Sequence, residues 1–175
     1  ILLGIALASD AGNAATLFYT VHHIVVKANL FLIAAIVWRL TGSYDLRRIG
    51  GLYATRPGLA VLFLIPALSL VGIPPLSGFW AKLLVLQEAI AQGRIVWTVV
   101  ALMVSVLTLY SMMKIWMEAF WKAHPEKGWR EPRHTRLGPA WAATIGLAAV
   151  TMWIGLNPQP LAAYSQAAAA TLGAR

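Results

Sequence analysis

Lys82 is the residue of this chain best placed to do chemistry. It follows an interruption, Gly72-Ile73-Pro74-Pro75-Leu76-Ser77-Gly78, inside an apolar stretch running from residue 57 to about residue 90. Proline lacks a backbone donor and glycine is conformationally free, so one helix should stop near Gly72 and another resume from about Gly78. The carbonyls at 68–71 and the amides at 78–81 then lose their helical partners. In hydrocarbon such groups need water, a side chain or an ion. Lys82 falls in the first turn of the second half-helix. Burial and the positive helix end disfavour its charged form there, while free carbonyls and nearby water favour it. An amine balanced in this way can exchange protons, so ion or proton translocation is the chemistry expected, with Gly72, Pro74, Pro75 and Gly78 as the broken-helix hinge. The competing reading is a kinked structural helix whose lysine snorkels outward.

A second constellation is Val21-His22-His23-Ile24-Val25-Val26-Lys27-Ala28-Asn29. His23 and Lys27 are four apart and share one helix face. About a dozen Leu, Ile, Phe and Val favour insertion of this span by ~0.3–0.6 kcal/mol each, while one central lysine costs ~2.5–3.5 kcal/mol. The helix is therefore marginally lipid-soluble, and its polar face must turn toward protein or water. Ionisable groups inside a membrane are functional by default, so His23, Lys27 and Lys82 are read as a proton relay. Lys27 pairing with a carboxylate of another helix, merely locking the packing, is the structural alternative. His22, Glu88, Lys114 and Glu118 are candidate relay or gate residues. The favoured reading of Lys114 and Glu118 is nevertheless an interfacial ion pair at i, i+4, and that of Glu88 a solvated carboxylate at a helix end. His124 and His134 lie in a polar loop without ligand spacing, so no metal site is assigned. No cofactor motif is present: no phosphate loop, flavin or quinone signature, or haem ligand pair.

The elements that must carry these residues follow from composition. Of 175 residues, 59% are hydrophobic and 11% charged, against about 25% charged in soluble domains, and the charges collect between apolar runs. The fold class expected is all-α, a polytopic transmembrane helix bundle with one discontinuous helix. Residues 1–9 read as the tail of a preceding span, and 10–13 as a short polar turn. Spans follow at about 14–38, 57–90 with its break, 96–120 and 139–156. Asn157-Pro158-Gln159-Pro160 ends the last of them, and the Ala-rich tail to Arg175 is expected at the membrane surface. The chain starts with Ile1 inside an apolar run, and reads as the C-terminal part of a longer membrane subunit. With no cysteine, disulfides and thiolate metal sites are excluded.

Net charge is +8, but the basic residues are interleaved with spans rather than forming one patch, which argues against nucleic acid. Arg39, Arg47, Arg48 and Arg56 fall in one loop, and Lys122, Lys127, Arg130, Arg133 and Arg136 in another. The positive-inside rule puts loops 39–56 and 122–136 in the cytoplasm and the tail outside, with four crossings of the cell membrane. The tryptophans Trp80, Trp97, Trp116, Trp121, Trp129, Trp141 and Trp153 are expected mostly toward span ends.

The stretch from Tyr19 to Trp121 resembles the antiporter-like subunits shared by Mrp-type Na+/H+ antiporters and respiratory complex I, the D-type subunits being the nearer match. The likeness rests on His22-His23-Ile24-Val25-Val26-Lys27-Ala28-Asn29, on Asp45-Leu46-Arg47-Arg48-Ile49-Gly50-Gly51-Leu52, on Leu109-Tyr110-Ser111-Met112-Met113-Lys114-Ile115-Trp116, and most specifically on Leu68 through Lys82. It implies a transporter subunit rather than an enzyme, with His23 and Lys27 on a central hydrophilic axis and Lys82 as the terminal lysine of a half-channel. Its partners would be other subunits of a membrane complex, the lipid bilayer, protons and sodium. The alternative it leaves open is a proton-pumping subunit of complex I or a related hydrogenase.

Overall fold

The computed structural model describes residues 1–126, 129 and 137–173, which excludes most of the second basic loop, with Lys127, Arg130, Arg133, His134 and Arg136. Among the described residues every regular element is helical: α1 (Leu2–Ala6), α2 (Asp10–Thr41), α3 (Leu52–Thr55), α4 (Pro57–Val71), α5 (Ser77–Ala91), α6 (Ile95–Trp116) closed by a π turn (Met117–Trp121), α7 (Gly138–Leu156) and α8 (Gln159–Gly173).

The helix boundaries have local causes. Residues 10–13 were expected as a turn but form the first turn of α2, because Ser9 is extended and its side chain accepts from Gly12 N at 3.0 Å. Polar residues that look like a turn are also those favoured at a helix start, and Asp10 complements the positive helix end. Gly42, at φ +73, ends the same helix. Ser9 also donates to Glu88 Oε1 at 2.7 Å. Ser9→Ala is therefore expected to cost about 1 kcal/mol or slightly more, read as a lower melting temperature of the complete protein in detergent. In the following loop Asp45 accepts from the backbone and guanidinium of Arg47, and these hydrogen bonds hold its carboxyl below the usual range.

α2, with 32 residues, is the long mast of the bundle, about 48 Å at ~1.5 Å per residue. α4 starts beside its C-terminal part, where Ile33, Ile36 and Leu40 bury with Leu59, Phe63 and Phe120. α5 continues along its N-terminal part, where Ala15, with Leu7 from the end of α1, packs on Val85 and Ala89. α6 returns on the other side of α4 and α5, with Ile95, Val96, Met103, Val106, Leu107 and Tyr110 exposed. α7 and α8 run antiparallel to α2 on its remaining flank. Pro139 and Ala140 lie near Arg39, Ile154 packs on Phe18, and Ser165 and Ala170 lie near Asp10 and Ala14. The tail thus does not lie across the end of the bundle. It continues α7's course after Asn157-Pro158, because small Ala and Ser side chains on α8 fit closely against the alanines of α2.

Helices α2, α6 with its π turn, and α7 are long and apolar enough to cross a membrane; α4 is a shorter apolar helix. Aromatic rings gather at the basic end, where Tyr53, Trp116 and Trp121 pack together and Trp38 stacks on Tyr44. Trp97 sits at the opposite end under Arg94. Trp153 lies in the last turn of α7, while Trp80 departs from that pattern, being partly buried and hydrogen-bonded to Gly155 O at 2.8 Å.

Candidate functional site

The interruption between α4 and α5 satisfies most of its own backbone. Gly72, at φ +97, donates to Leu68 O and Ser69 O, and Ile73 N donates to Leu68 O. This is the glycine-terminated closure of a helix C-terminus. Gly78 N, at the start of α5, donates to Ser69 Oγ at 3.2 Å. Ser69 Oγ also meets Ser77 Oγ at 3.2 Å, and Ser77 Oγ meets His22 Nδ1 at 2.8 Å. His22, Ser69 and Ser77 are all essentially inaccessible. A buried imidazole nitrogen stripped of its partner costs about 1–3 kcal/mol, so Ser77→Ala should lower the stability of the complete protein by that order in a thermal melt.

Lys82 closes the remaining gap. Its ammonium donates to Val71 O at 2.6 Å and to Ser105 Oγ at 2.8 Å, and Ser105 Oγ itself donates to Ala101 O. The lysine therefore turns away from the positive start of its own helix and reaches the negative C-terminal end of α4, where a cation is favoured. Gly72 makes room for it: a Cβ there would come within 2.8 Å of Lys82 Cδ. Lys82 is half-buried.

Successive side chains of α5's first turns thus tie the interruption to each surrounding helix: Ser77 to α2, Trp80 to α7 and Lys82 to α6. Lys82, His23, Lys27 and Tyr19 line one cleft of about 460 Å³ between α2, α5 and α6, with Ser105 and Thr108 on its far wall. Within the described residues no hydrogen bond joins Lys82 to His23 or Lys27. The cleft sets them around shared space, in which His23 Nδ1 is buried without a partner among those residues. His22 points the other way, into the serine pair.

The other candidates lie apart. Glu88 accepts from Ser9 and Gln92, and Gln92 also donates to Leu7 O, so this carboxylate fastens the end of α5 to the turn before α2. Glu118 does not pair with Lys114 as expected from the i, i+4 spacing; it pairs with Lys122 at 2.6 Å. The helix has widened into its π turn there, and Lys122 is held in place by Leu46 O. Sequence reasoning gives Ser69, Ser77, Ser105 and Trp80 no role at this site. Hydroxyls on both flanks of a helix break, and a serine in the middle of the apolar run of α6, were the signals available.

A discontinuous α4–α5 pair carrying a half-buried lysine, crossed by a long helix with paired histidines, defines a multi-pass membrane helix bundle. The chain belongs to the NADH:quinone oxidoreductase/Mrp antiporter, TM family, whose profile matches residues 1–108. It is 40% identical over 164 residues to the D-type Na(+)/H(+) antiporter subunit of Alkalihalophilus pseudofirmus, covering 94% of this chain and 33% of that protein. The Mrp complex from Dietzia sp. contains a chain that superposes with a TM-score of 0.85 at 35% identity, covering 98% of this chain and 40% of that one. Respiratory complex I from Thermus thermophilus gives 0.80 at 26% identity, covering 95% and 35%. The chain thus spans about a third of the length of the curated relative.

Proposed function

We propose that this chain is part of a proton-translocating membrane subunit of a multisubunit Na+/H+ antiporter, lying in the cell membrane with the loops 39–56 and 122–136 in the cytoplasm and four crossings. The observation that carries the reading is the placement of Lys82. Its ammonium bridges the end of one interrupted helix and a serine of a third helix, beside a cleft shared with His23 and Lys27. Water in that cleft would link the amines and imidazole that no direct hydrogen bond joins. A proton would pass among His23, Lys27 and Lys82, each site's charge raising the cost of charging the next. Sodium as the exchanged cation rests on the names of the relatives. The groups gathered around the cleft are those that proton transfer needs.

A second reading, a proton-pumping subunit of an NADH:quinone oxidoreductase, draws on the likeness to complex I. One experiment separates the two. In everted vesicles containing the complete protein with its partner subunits, adding sodium to a preformed pH gradient should collapse that gradient without NADH or quinone. Proton movement that requires NADH and ignores sodium would overturn the antiporter reading in favour of the second.

A further inference from the structure

The interruption between α7 and α8 lies against the one between α4 and α5. Gly155, in the last turn of α7, approaches the linker so closely that a Cβ on it would sit 2.1 Å from Pro75 O and 2.7 Å from Ser77 N. Its carbonyl, one of those that a helix end leaves without a partner, accepts from Trp80 Nε1 at 2.8 Å. Phe18, Ala81 and Ile154 are buried together beside this contact. Trp80 stands two residues before Lys82, in the same turn of α5. Helix α5 is thereby pinned on one flank by α7, while Lys82 reaches Ser105 on α6 from the other.

We propose that Trp80 is a positioning residue for Lys82: by binding the end of α7 to the first turn of α5, it keeps the lysine ammonium between Val71 O and Ser105 Oγ. The proposal rests on the exchange reading above. The ionisable groups facing Lys82 are His23, Lys27 and Tyr19, all on α2, while His22 is turned toward Ser77. α4, α7 and α8 present none to it, α6 presents Ser105 and Thr108, and Glu88 lies further along α5. With Trp80 removed, the ammonium loses its fixed place between that carbonyl and that hydroxyl, which no longer hold it by charge-assisted hydrogen bonds.

The test measures cation/proton exchange against pH in everted vesicles holding the complete antiporter, together with the amount of assembled complex. Trp80→Phe keeps an aromatic ring and removes the N–H. It should shift the midpoint of the pH profile by about half a unit or more, the size expected when one hydrogen bond to the positioning frame is lost. Gly155→Ala, which wedges the two interruptions apart from the α7 side, should move it the same way; either variant that assembles gives the reading. Trp153→Phe, on the exposed side of α7, should leave the profile where it is. A Trp80→Phe profile that coincides with the wild type, or activity that falls only in step with assembled protein, overturns the proposal while Lys82→Ala remains inactive. If Lys82→Ala still exchanges, the relay role of Lys82 fails, and if the wild-type complex shows no sodium-driven exchange, the antiporter reading fails, so the failures are told apart.

Discussion

Lys82→Ala is expected to leave the complex assembled and to reduce cation/proton exchange roughly a hundredfold, the scale on which a positioned proton-transfer group contributes. The alanine removes the group that satisfies Val71 O and Ser105 Oγ, but water can enter the adjoining cleft and replace it there, so folding should survive. Lys82→Arg asks a sharper question. A guanidinium keeps the positive charge at the end of α4 yet does not deprotonate in proteins. If Lys82 must release a proton, the arginine variant is nearly as inactive as the alanine variant at every accessible pH. Wild-type exchange by Lys82→Arg would reduce the lysine to an electrostatic anchor, and wild-type exchange by Lys82→Ala would remove it from the mechanism. Assembly is followed by size-exclusion chromatography of the solubilised complex, so that loss of protein is not read as loss of transport.

Gly78→Ala is expected to produce the largest loss of stability, about 3 kcal/mol or more, since overpacking that shifts backbone lies at the severe end of its range. A Cβ at Gly78 would fall 1.7 Å from Ser69 O and 2.9 Å from His22 Cε1. The half-helices would have to separate, breaking the Gly78 N–Ser69 Oγ bond and displacing the imidazole that Ser77 holds. Gly146→Ala is the contrast. Nothing lies within 4 Å of that Cβ, so the variant should be neutral or gain up to ~1 kcal/mol from helix propensity. Thermal melts of the complete protein in detergent check both. Equal melting temperatures for the two variants would show that the close approach at Gly78 does not limit stability.

Much of the architecture was legible from local chemistry. Apolar runs separated by basic loops give helices of membrane-spanning length, and Gly72 with Pro74 and Pro75 dictates a break wherever those helices lie. Boundaries were less legible where one residue type serves two purposes: Asp10 and Asn13 suit a turn and a helix start equally, and only the extended Ser9 decided between them. At the far end, Asn157 and Pro158 marked a helix stop correctly, but stopping a helix does not say where the chain goes next. That α8 continues along α2 depends on how closely two alanine-lined faces meet.

The site divides along the same line. Composition and spacing by themselves determined that Lys82 would stand beside a broken helix, with His22, His23 and Lys27 on a neighbouring span, because a buried ionisable residue is conspicuous against an apolar background. Tertiary structure alone decided that His23 and Lys27 share a cleft with Lys82 while His22 faces a serine pair, that Glu118 pairs with Lys122, and that Trp80 joins two interruptions. Periodicity tells which face of a helix a side chain occupies. Which helix lies opposite that face, and at what rotation and height, is set by the packing of small residues between elements far apart in the chain.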